Sequence, residues 1–156
     1  MTADERTDLI ARYAAGYDEI LDSLSNATDQ DLDRNSSEGE WSPRQIIHHL
    51  GDSEMTSSIR LRRLLAEDSP MIQGYDEAEF ARRLHYERPI ESSLQALKAS
   101  RESSVSLLEC LSEQEWQRAG THTESGSYSI EGWLQIYASH AHDHADQIRQ
   151  ARSSGN

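Results

Sequence analysis

The stretch WSPRQIIHHL, residues 41–50, contains the clearest helix start in the chain. Ser42 is a natural N-cap, Pro43 stands at the first helical position, and Gln45 stands at N3, where its side chain completes a capping box. The apolar residues that follow recur at three- and four-residue spacing, which is typical of one buried helical face. The stretch therefore predicts a long amphipathic helix over Pro43–Glu67, with two adjacent histidines near its start.

Three other stretches show the same helical period. They predict a first helix at Asp4–Ser25, a third at Pro89–Leu111 and a fourth at Ser129–Arg152. Four amphipathic helices, each roughly 20 residues long, predict an all-α four-helix bundle. We expect a single domain over residues 1–153 and a polar tail at residues 154–156.

The connectors between the four helices are long and polar. The first, Asn26–Glu40, has one expected helical turn at Asp29–Leu32, and the second has a short charged helix at Glu77–Leu84. The third begins with one helical turn that ends at Trp116. Its remaining residues, Arg118–Ser127, carry no β-hairpin signal and no alternation of β-branched side chains, so they are predicted as loop.

Charge and composition exclude several classes of function. With 15 basic and 28 acidic residues among 156, the chain carries a formal charge of −13, which is poorly suited to nucleic acid or an anionic membrane surface. No apolar run approaches the roughly 20 residues of a membrane span. The acidic N-terminus differs from a signal peptide, and the single cysteine, Cys110, excludes an internal disulfide. We therefore expect a soluble cytoplasmic protein.

The stretch SHAHDHADQI, residues 139–148, places three histidines at alternate positions of the fourth helix. An α-helix turns by about 100° per residue, so relative to Tyr137 His140 falls at about −60° and His144 at about −20°. Both directions lie within the apolar stripe of the helix. His142 falls at about 140°, on the solvated face. His140 and His144 are therefore expected to point into the bundle together.

The second helix adds one inward-facing histidine. His49 lies at the edge of its apolar stripe, whereas His48 lies nearly opposite the centre of that stripe. A histidine pair at i and i+4 is a clamp for a transition metal, and a third imidazole from a facing helix leaves at least one coordination position for water or substrate. Imidazole suits Zn, Ni, Cu or Fe. The alternative is that the three histidines are packed in the core and bind no metal.

Three polar residues outside this set are of further interest. Arg101 lies near the middle of the apolar stripe of the third helix, where an unpaired charge is costly. It is a candidate substrate-binding residue, and the alternatives are an ion pair with Glu54 or Asp52, or a side chain that extends to solvent. His122 is a second candidate at the mouth of the site, and the alternative is an ordinary surface histidine. Gln147, three residues after His144, is expected to form a hydrogen bond within the bundle.

At these residues the sequence resembles the DinB-like superfamily of metal-binding four-helix bundles. The resemblance rests on Trp41-Ser-Pro-Arg-Gln-Ile-Ile-His-His49-Leu50 with the following Gly-Asp-Ser-Glu54, and on His140-x-x-x-His144-x-x-Gln147. Order and spacing are similar over nearly the whole chain, and weaker similarities occur at Tyr75-Asp76, Arg101, Glu115-Trp116 and His122.

The resemblance implies a metal triad at His49, His140 and His144, the same residues that the helical phase selects. It also implies an enzymatic activity, because members with known activity are transferases and isomerases that use thiols such as bacillithiol or mycothiol. The resemblance further implies a homodimer.

We therefore expect a divalent transition metal, with Zn or Ni ahead of Fe or Mn, and a small-molecule substrate or low-molecular-weight thiol as partner. The leading hypothesis is a metal-dependent thiol S-transferase or hydrolase, and the alternative is a non-catalytic metal- or ligand-binding module of a stress response. No residue is identified as a general base, so the catalytic residues beyond the metal ligands are unknown.

Overall fold

Four long helices account for most of the computed structural model, which describes residues 1–154. They are α1 (Ala3–Ser23), α3 (Pro43–Ala66), α5 (Glu91–Leu108) and α7 (Ile130–Ser153). They pack as the predicted four-helix bundle, in which α1 lies against α7 and α3 lies against both α5 and α7.

The connectors contain three short helices, α2 (Asp29–Leu32), α4 (Glu77–Arg83) and α6 (Glu113–Trp116). All three correspond to helical segments expected from the sequence.

The predicted ends of the long helices agree with the observed ends to within a few residues. The capping box at α3 is present, because the Gln45 amide donates to the Ser42 hydroxyl and the Ser42 amide donates to the Gln45 side chain. At the other end of the chain, Ser154 caps α7 through a hydrogen bond from its amide to the Gln150 carbonyl. The rest of the predicted polar tail, residues 155–156, lies outside the described residues.

Helices α3 and α7 are antiparallel, which determines which residues meet across the bundle. Near the middle of α3 the Ser57 carbonyl accepts a hydrogen bond of 2.9 Å from the Trp133 indole, at the start of α7. Towards the start of α3, His49 faces His140, further along α7. Moving forward on α3 therefore corresponds to moving backward on α7.

The core is divided into two apolar clusters with a polar layer between them. One cluster surrounds Trp133 and Tyr13, and the other surrounds Leu50 and Ile148. The α3 segment between the clusters buries the polar side chains of Ser53, Glu54, Ser57 and Ser58. Burying so many polar groups in the middle of a bundle is costly unless they are hydrogen-bonded or functional.

A small sheet covers one end of the bundle, and it was not expected. Strand β1 (Met71–Ile72) pairs in parallel with β2 (Ala119–His122), which pairs antiparallel with β3 (Gly126–Ser129). The prediction that Arg118–Ser127 is loop without a hairpin was therefore wrong.

The physical reason is the length of these strands. Strands of two to four residues are too short to show an alternating pattern, and their pairing depends on tertiary packing. At Gly120 an added Cβ would overlap with the Pro70 carbonyl oxygen, so this close approach requires glycine. Gly126, which begins β3, has a φ of +79°, a conformation that glycine adopts without strain.

None of the helices within residues 1–154 has the length and apolar character needed to cross a membrane.

Candidate metal centre

Three imidazoles converge in the polar layer of the bundle. His49 comes from α3 and is 2% exposed, while His140 and His144 come from successive turns of α7 and are partly exposed. The Nε2 atom of His140 lies 3.4 Å from Nε2 of His49 and 3.2 Å from Nε2 of His144. Each of the three residues has a ligand atom within 4.8 Å of those of the other two. The structure thus brings together the three histidines that the helical phase selects.

The spacing of these nitrogens fits a single metal ion. Zinc–nitrogen bonds of about 2.0–2.1 Å in a tetrahedral site hold their nitrogens about 3.3–3.4 Å apart. The two measured Nε2 separations are close to this value. Their assignment as metal ligands remains a prediction, and the chemistry of the donor set agrees with it.

Burial keeps these imidazoles neutral, as coordination requires. Burial, with the nearby His144, lowers the pKa of His49 to about 3. Burial, with the neighbouring histidines and Arg101, lowers the pKa of His140 to about 2, and burial also lowers the pKa of His144. Each ring therefore has a nitrogen lone pair available at neutral pH without prior loss of a proton.

Gln147 determines the tautomer of His144, as expected for a partner within the bundle. Its side-chain carbonyl oxygen lies 2.9 Å from the His144 Nδ1 atom and can only accept, so Nδ1 carries the hydrogen and Nε2 carries the lone pair. On the other side of the cluster, the Trp41 ring packs against the His49 ring at a centroid distance of 4.9 Å. These neighbours fix the orientation of two of the three rings.

His48 and His142 lie outside the cluster, as the helical phase predicts. His48 is nonetheless fully buried, because α5 covers that face of α3. Its Nε2 donates to the Arg88 carbonyl, and its Nδ1 accepts from the Ser93 hydroxyl. The expected solvated position of His142 is only partly observed, since its ring is half-buried and donates to the Arg12 carbonyl at 2.9 Å.

Arg101 forms a buried ion pair with Glu54, one of the alternatives that the sequence leaves open. The two side chains are 2% and 1% exposed, and the Arg101 Nη1 atom donates to Glu54 at 2.7 Å. The Nε atom donates to the Tyr13 carbonyl and the Nη2 atom to the Tyr137 carbonyl, both at 3.0 Å. Since all three nitrogens donate to the protein, this geometry favours a structural role over the expected substrate contact.

Both carboxylate oxygens of Glu54 likewise have hydrogen-bond partners within the protein. One of its carboxylate oxygens accepts from the Tyr13 hydroxyl and the Ser57 hydroxyl, and the other accepts from Arg101. Burial raises the pKa of Glu54, while Arg101 and the hydroxyl donors act in the opposite direction. The site for the guanidinium also requires Gly16, where an added Cβ would lie 2.9 Å from Arg101 Nη2. Arg101 and Glu54 therefore join α1, α3, α5 and α7 at the level of the histidines.

His122, the second expected substrate-binding residue, lies at the end of β2. It is 8% exposed, so it is not the ordinary surface histidine of the alternative. Its Nδ1 atom accepts from the amides of Glu124 and Ser125, and its ring packs against Tyr128. Its partners therefore belong to the hairpin, and a role in substrate binding remains untested.

Tyr137, one helical turn before His140 on α7, belongs to a polar group that was not expected from the sequence. Arg60 on α3 donates to the Tyr137 hydroxyl on α7 at 3.2 Å and lies over the ring of Tyr75. A signal was present, because Arg60 follows His49 by eleven residues and falls about 20° from it on the helix surface. Tyr137 was counted only as a member of an apolar stripe.

Comparison with known proteins agrees with this architecture. A protein of Oceanobacillus iheyensis, named "Putative metal-dependent hydrolase", is 39% identical over 129 residues, which cover 83% of this chain and 75% of that protein. A protein of Halalkalibacterium halodurans with the same description is 34% identical over 132 residues, covering 84% of this chain and 77% of that protein.

Solved structures show the same fold. YfiT from Bacillus subtilis, described as "a probable metal-dependent hydrolase with an unusual four-helix bundle topology", superposes with a TM-score of 0.92 at 27% identity, covering 99% of this chain and 90% of YfiT. A second solved structure, described as a four-helix bundle protein, has a TM-score of 0.64 at 23% identity, covering 90% of this chain and 95% of that one. The family model described as DinB superfamily matches residues 12–148. The chain therefore belongs to the DinB superfamily.

Proposed function

We propose that this protein is a metal-dependent hydrolase whose divalent metal is bound by the Nε2 atoms of His49, His140 and His144. The observation that carries the proposal is the convergence of three neutral imidazoles with Nε2 separations of 3.2 and 3.4 Å between the two apolar clusters of the core. The names of the relatives, which describe metal-dependent hydrolases, support it. Zn or Ni is the proposed metal; imidazole nitrogens suit both, as they also suit Cu and Fe, so metal analysis decides among them.

A divalent cation with three histidine ligands supplies an open coordination position and lowers the pKa of a water bound there to about 7. The chain's own residues prepare this position. Gln147 orients His144, and Trp41 packs against His49. The ion pair of Arg101 and Glu54 holds the surrounding helices in place, and because both carboxylate oxygens of Glu54 already accept hydrogen bonds, we assign no proton transfer to it.

The same metal could lower the pKa of a low-molecular-weight thiol, which would make the protein a thiol S-transferase. The chain's own thiol does not serve this purpose, because Cys110 is exposed beyond the end of α5. A thiol nucleophile would therefore have to be a separate soluble molecule.

The test combines metal analysis with an activity screen. Purified protein should contain about one equivalent of zinc or nickel, and single substitutions His49→Ala, His140→Ala and His144→Ala should each reduce that content severely. His142→Ala, on the same helix but outside the cluster, is the matched control and should leave the metal content unchanged.

Ester and amide substrates are then tested with and without a chelator, and electrophiles are tested with a panel of thiols. Hydrolysis that the chelator abolishes supports the proposal. Metal-dependent turnover that requires a thiol would instead assign a transferase. A triad variant that retains full metal content would refute the ligand assignment.

A further inference from the structure

Among the buried polar atoms of residues 1–154 that have no hydrogen-bond partner, two lie on neighbouring side chains outside the triad, and a third, Nδ1 of His140, belongs to the triad itself. The first two are the Nε atom of Arg60 and the hydroxyl oxygen of Tyr75. Buried polar groups without partners are rare in native proteins, and each indicates either stored strain or a missing ligand. Here the two atoms belong to neighbouring side chains, since the Arg60 guanidinium lies 5.7 Å from the centre of the Tyr75 ring.

Both side chains are held firmly by their other contacts. Arg60 donates through Nη1 to the Tyr137 hydroxyl at 3.2 Å and through Nη2 to the Gln73 carbonyl at 2.9 Å. The Tyr75 ring packs against Phe80 at a centroid distance of 4.5 Å. The two unpaired atoms therefore belong to positioned side chains, and are not the free ends of mobile ones.

The α3 and α7 residues that contact this pair lie one helical turn from the histidines. On α7, Tyr137 precedes His140 by three residues, and the two rings are 5.8 Å apart. On α3, Ser53 follows His49 by four residues, and its hydroxyl lies close enough to the Tyr75 oxygen to act as a donor that lowers the pKa of Tyr75 against the effect of burial, which leaves the hydrogen of the Tyr75 hydroxyl free. Because α3 and α7 are antiparallel, both steps lead towards the same end of the bundle, by one helical turn of about 5.4 Å.

Both unpaired atoms are available as donors. A guanidinium is always protonated and has no acceptor. Burial raises the pKa of Tyr75 to about 12, so its hydroxyl keeps its proton at neutral pH. A ligand that satisfies both atoms must therefore present an acceptor oxygen.

We propose that the Tyr75 hydroxyl and Arg60 Nε bind the carbonyl oxygen of the substrate, which makes the substrate class an ester or amide. This proposal rests on the proposed hydrolase function. When water adds to the carbonyl carbon, the electron pair of the C=O bond moves to this oxygen, and the two donors stabilise its charge. The electron pair then re-forms the C=O bond, the bond from the carbonyl carbon to the leaving group breaks, and the alcohol or amine leaves with one of the water protons.

The first experiment asks whether the Tyr75 hydroxyl contributes to the fold. Urea unfolding of the metal-free protein is compared for the wild type, Tyr75→Phe and Tyr13→Phe. Tyr13 is the matched case with a satisfied hydroxyl, because it donates to Glu54. Removing an unpaired buried hydroxyl should leave the unfolding midpoint unchanged or raise it, whereas Tyr13→Phe should lower it. An equal decrease in both variants would make Tyr75 structural and overturn the proposal.

The second experiment measures binding of acetate, the simplest probe with such an oxygen, by calorimetric titration of the metal-free and the zinc-loaded protein. Tyr75→Phe should weaken acetate binding about fivefold, the loss of one hydrogen bond. Tyr17→Phe is the control, since this residue lies on α1 beside Lys98. Equal affinity in Tyr75→Phe and wild type, or no acetate binding by either, overturns the proposal. Zinc content is measured for the same samples, so a failure of the metal site is distinguished from a failure of this one.

Discussion

His140 lies between the other two histidines of the candidate site, since its Nε2 atom is within 3.4 Å of the Nε2 atoms of both. The helical phase of the sequence predicts this convergence, since apolar neighbours on α3 and α7 show which side of each helix is buried. The partners that orient the rings are less predictable. Gln147 was expected to form a hydrogen bond, but its effect on the His144 tautomer depends on which atoms of the two side chains meet in the folded protein.

Gln147→Ala should weaken metal binding about 10- to 100-fold, the usual effect of removing a group that orients a metal-binding histidine. Without the Gln147 carbonyl, His144 loses the acceptor that keeps the hydrogen on Nδ1. The measurement is a competition titration of zinc against a chromophoric chelator. Gln150→Ala, at an exposed position of the same helix, is the control. Equal zinc affinity in both variants would mean that Gln147 does not orient a ligand.

Arg101→Met should destabilise the metal-free protein by about 3–5 kcal/mol, because it leaves the buried carboxylate of Glu54 without its cation. Urea unfolding measures this loss, and Lys98→Met, at an exposed position of the same helix, should have little effect. Adding Glu54→Leu to Arg101→Met should recover part of the stability. If Arg101→Met leaves the free energy of unfolding unchanged, the ion pair is not structural and the substrate-binding alternative regains support.

At the scale of elements, the long helices were predictable and the sheet was not. A capping box and a long apolar period are local signals, and they identify α3 from residues 42–66 alone. The hairpin β2–β3 has only four residues in each strand, and its position depends on contact with Pro70, which lies about 50 residues earlier in the chain. The Tyr75 and Arg60 pair was missed for the same reason, because β1 and the loop after it bring Tyr75 over α3.

Gly120→Ala should destabilise the protein by about 1–3 kcal/mol, since the new Cβ would overlap with the Pro70 carbonyl and neither backbone can move freely. Thermal or urea unfolding measures the change. Ser127→Ala, an exposed position on the paired strand β3, is the control and should stay within about 0.5 kcal/mol of wild type. If Gly120→Ala has wild-type stability, then β2 does not pack closely against the Pro70 carbonyl.

At the scale of the whole molecule, the bundle places neutral histidines between two apolar clusters, and this arrangement makes stability depend on pH. Burial lowers the pKa of His49 to about 3 and that of His140 to about 2, whereas histidine in the unfolded chain titrates near 6.5. Below about pH 6.5 the unfolded state therefore binds protons that the folded state does not. Stability is retained above this pH and is lost progressively as the pH falls towards 3.

The metal-free protein should thus lose up to about 1.4 kcal/mol per pH unit for each of these histidines between about pH 6.5 and pH 4. Urea unfolding at several pH values measures the slope. The double variant His49→Ala, His140→Ala should show a shallower slope than wild type, and His142→Ala should not. Identical slopes in wild type and the double variant would contradict the neutral state of the cluster.

An anomalous difference map from a zinc-loaded crystal shows whether the three histidines bind one metal ion. We expect one peak about 2.0–2.1 Å from the Nε2 atoms of His49, His140 and His144. A map with no peak between these rings, or with its zinc bound at other residues, would contradict it.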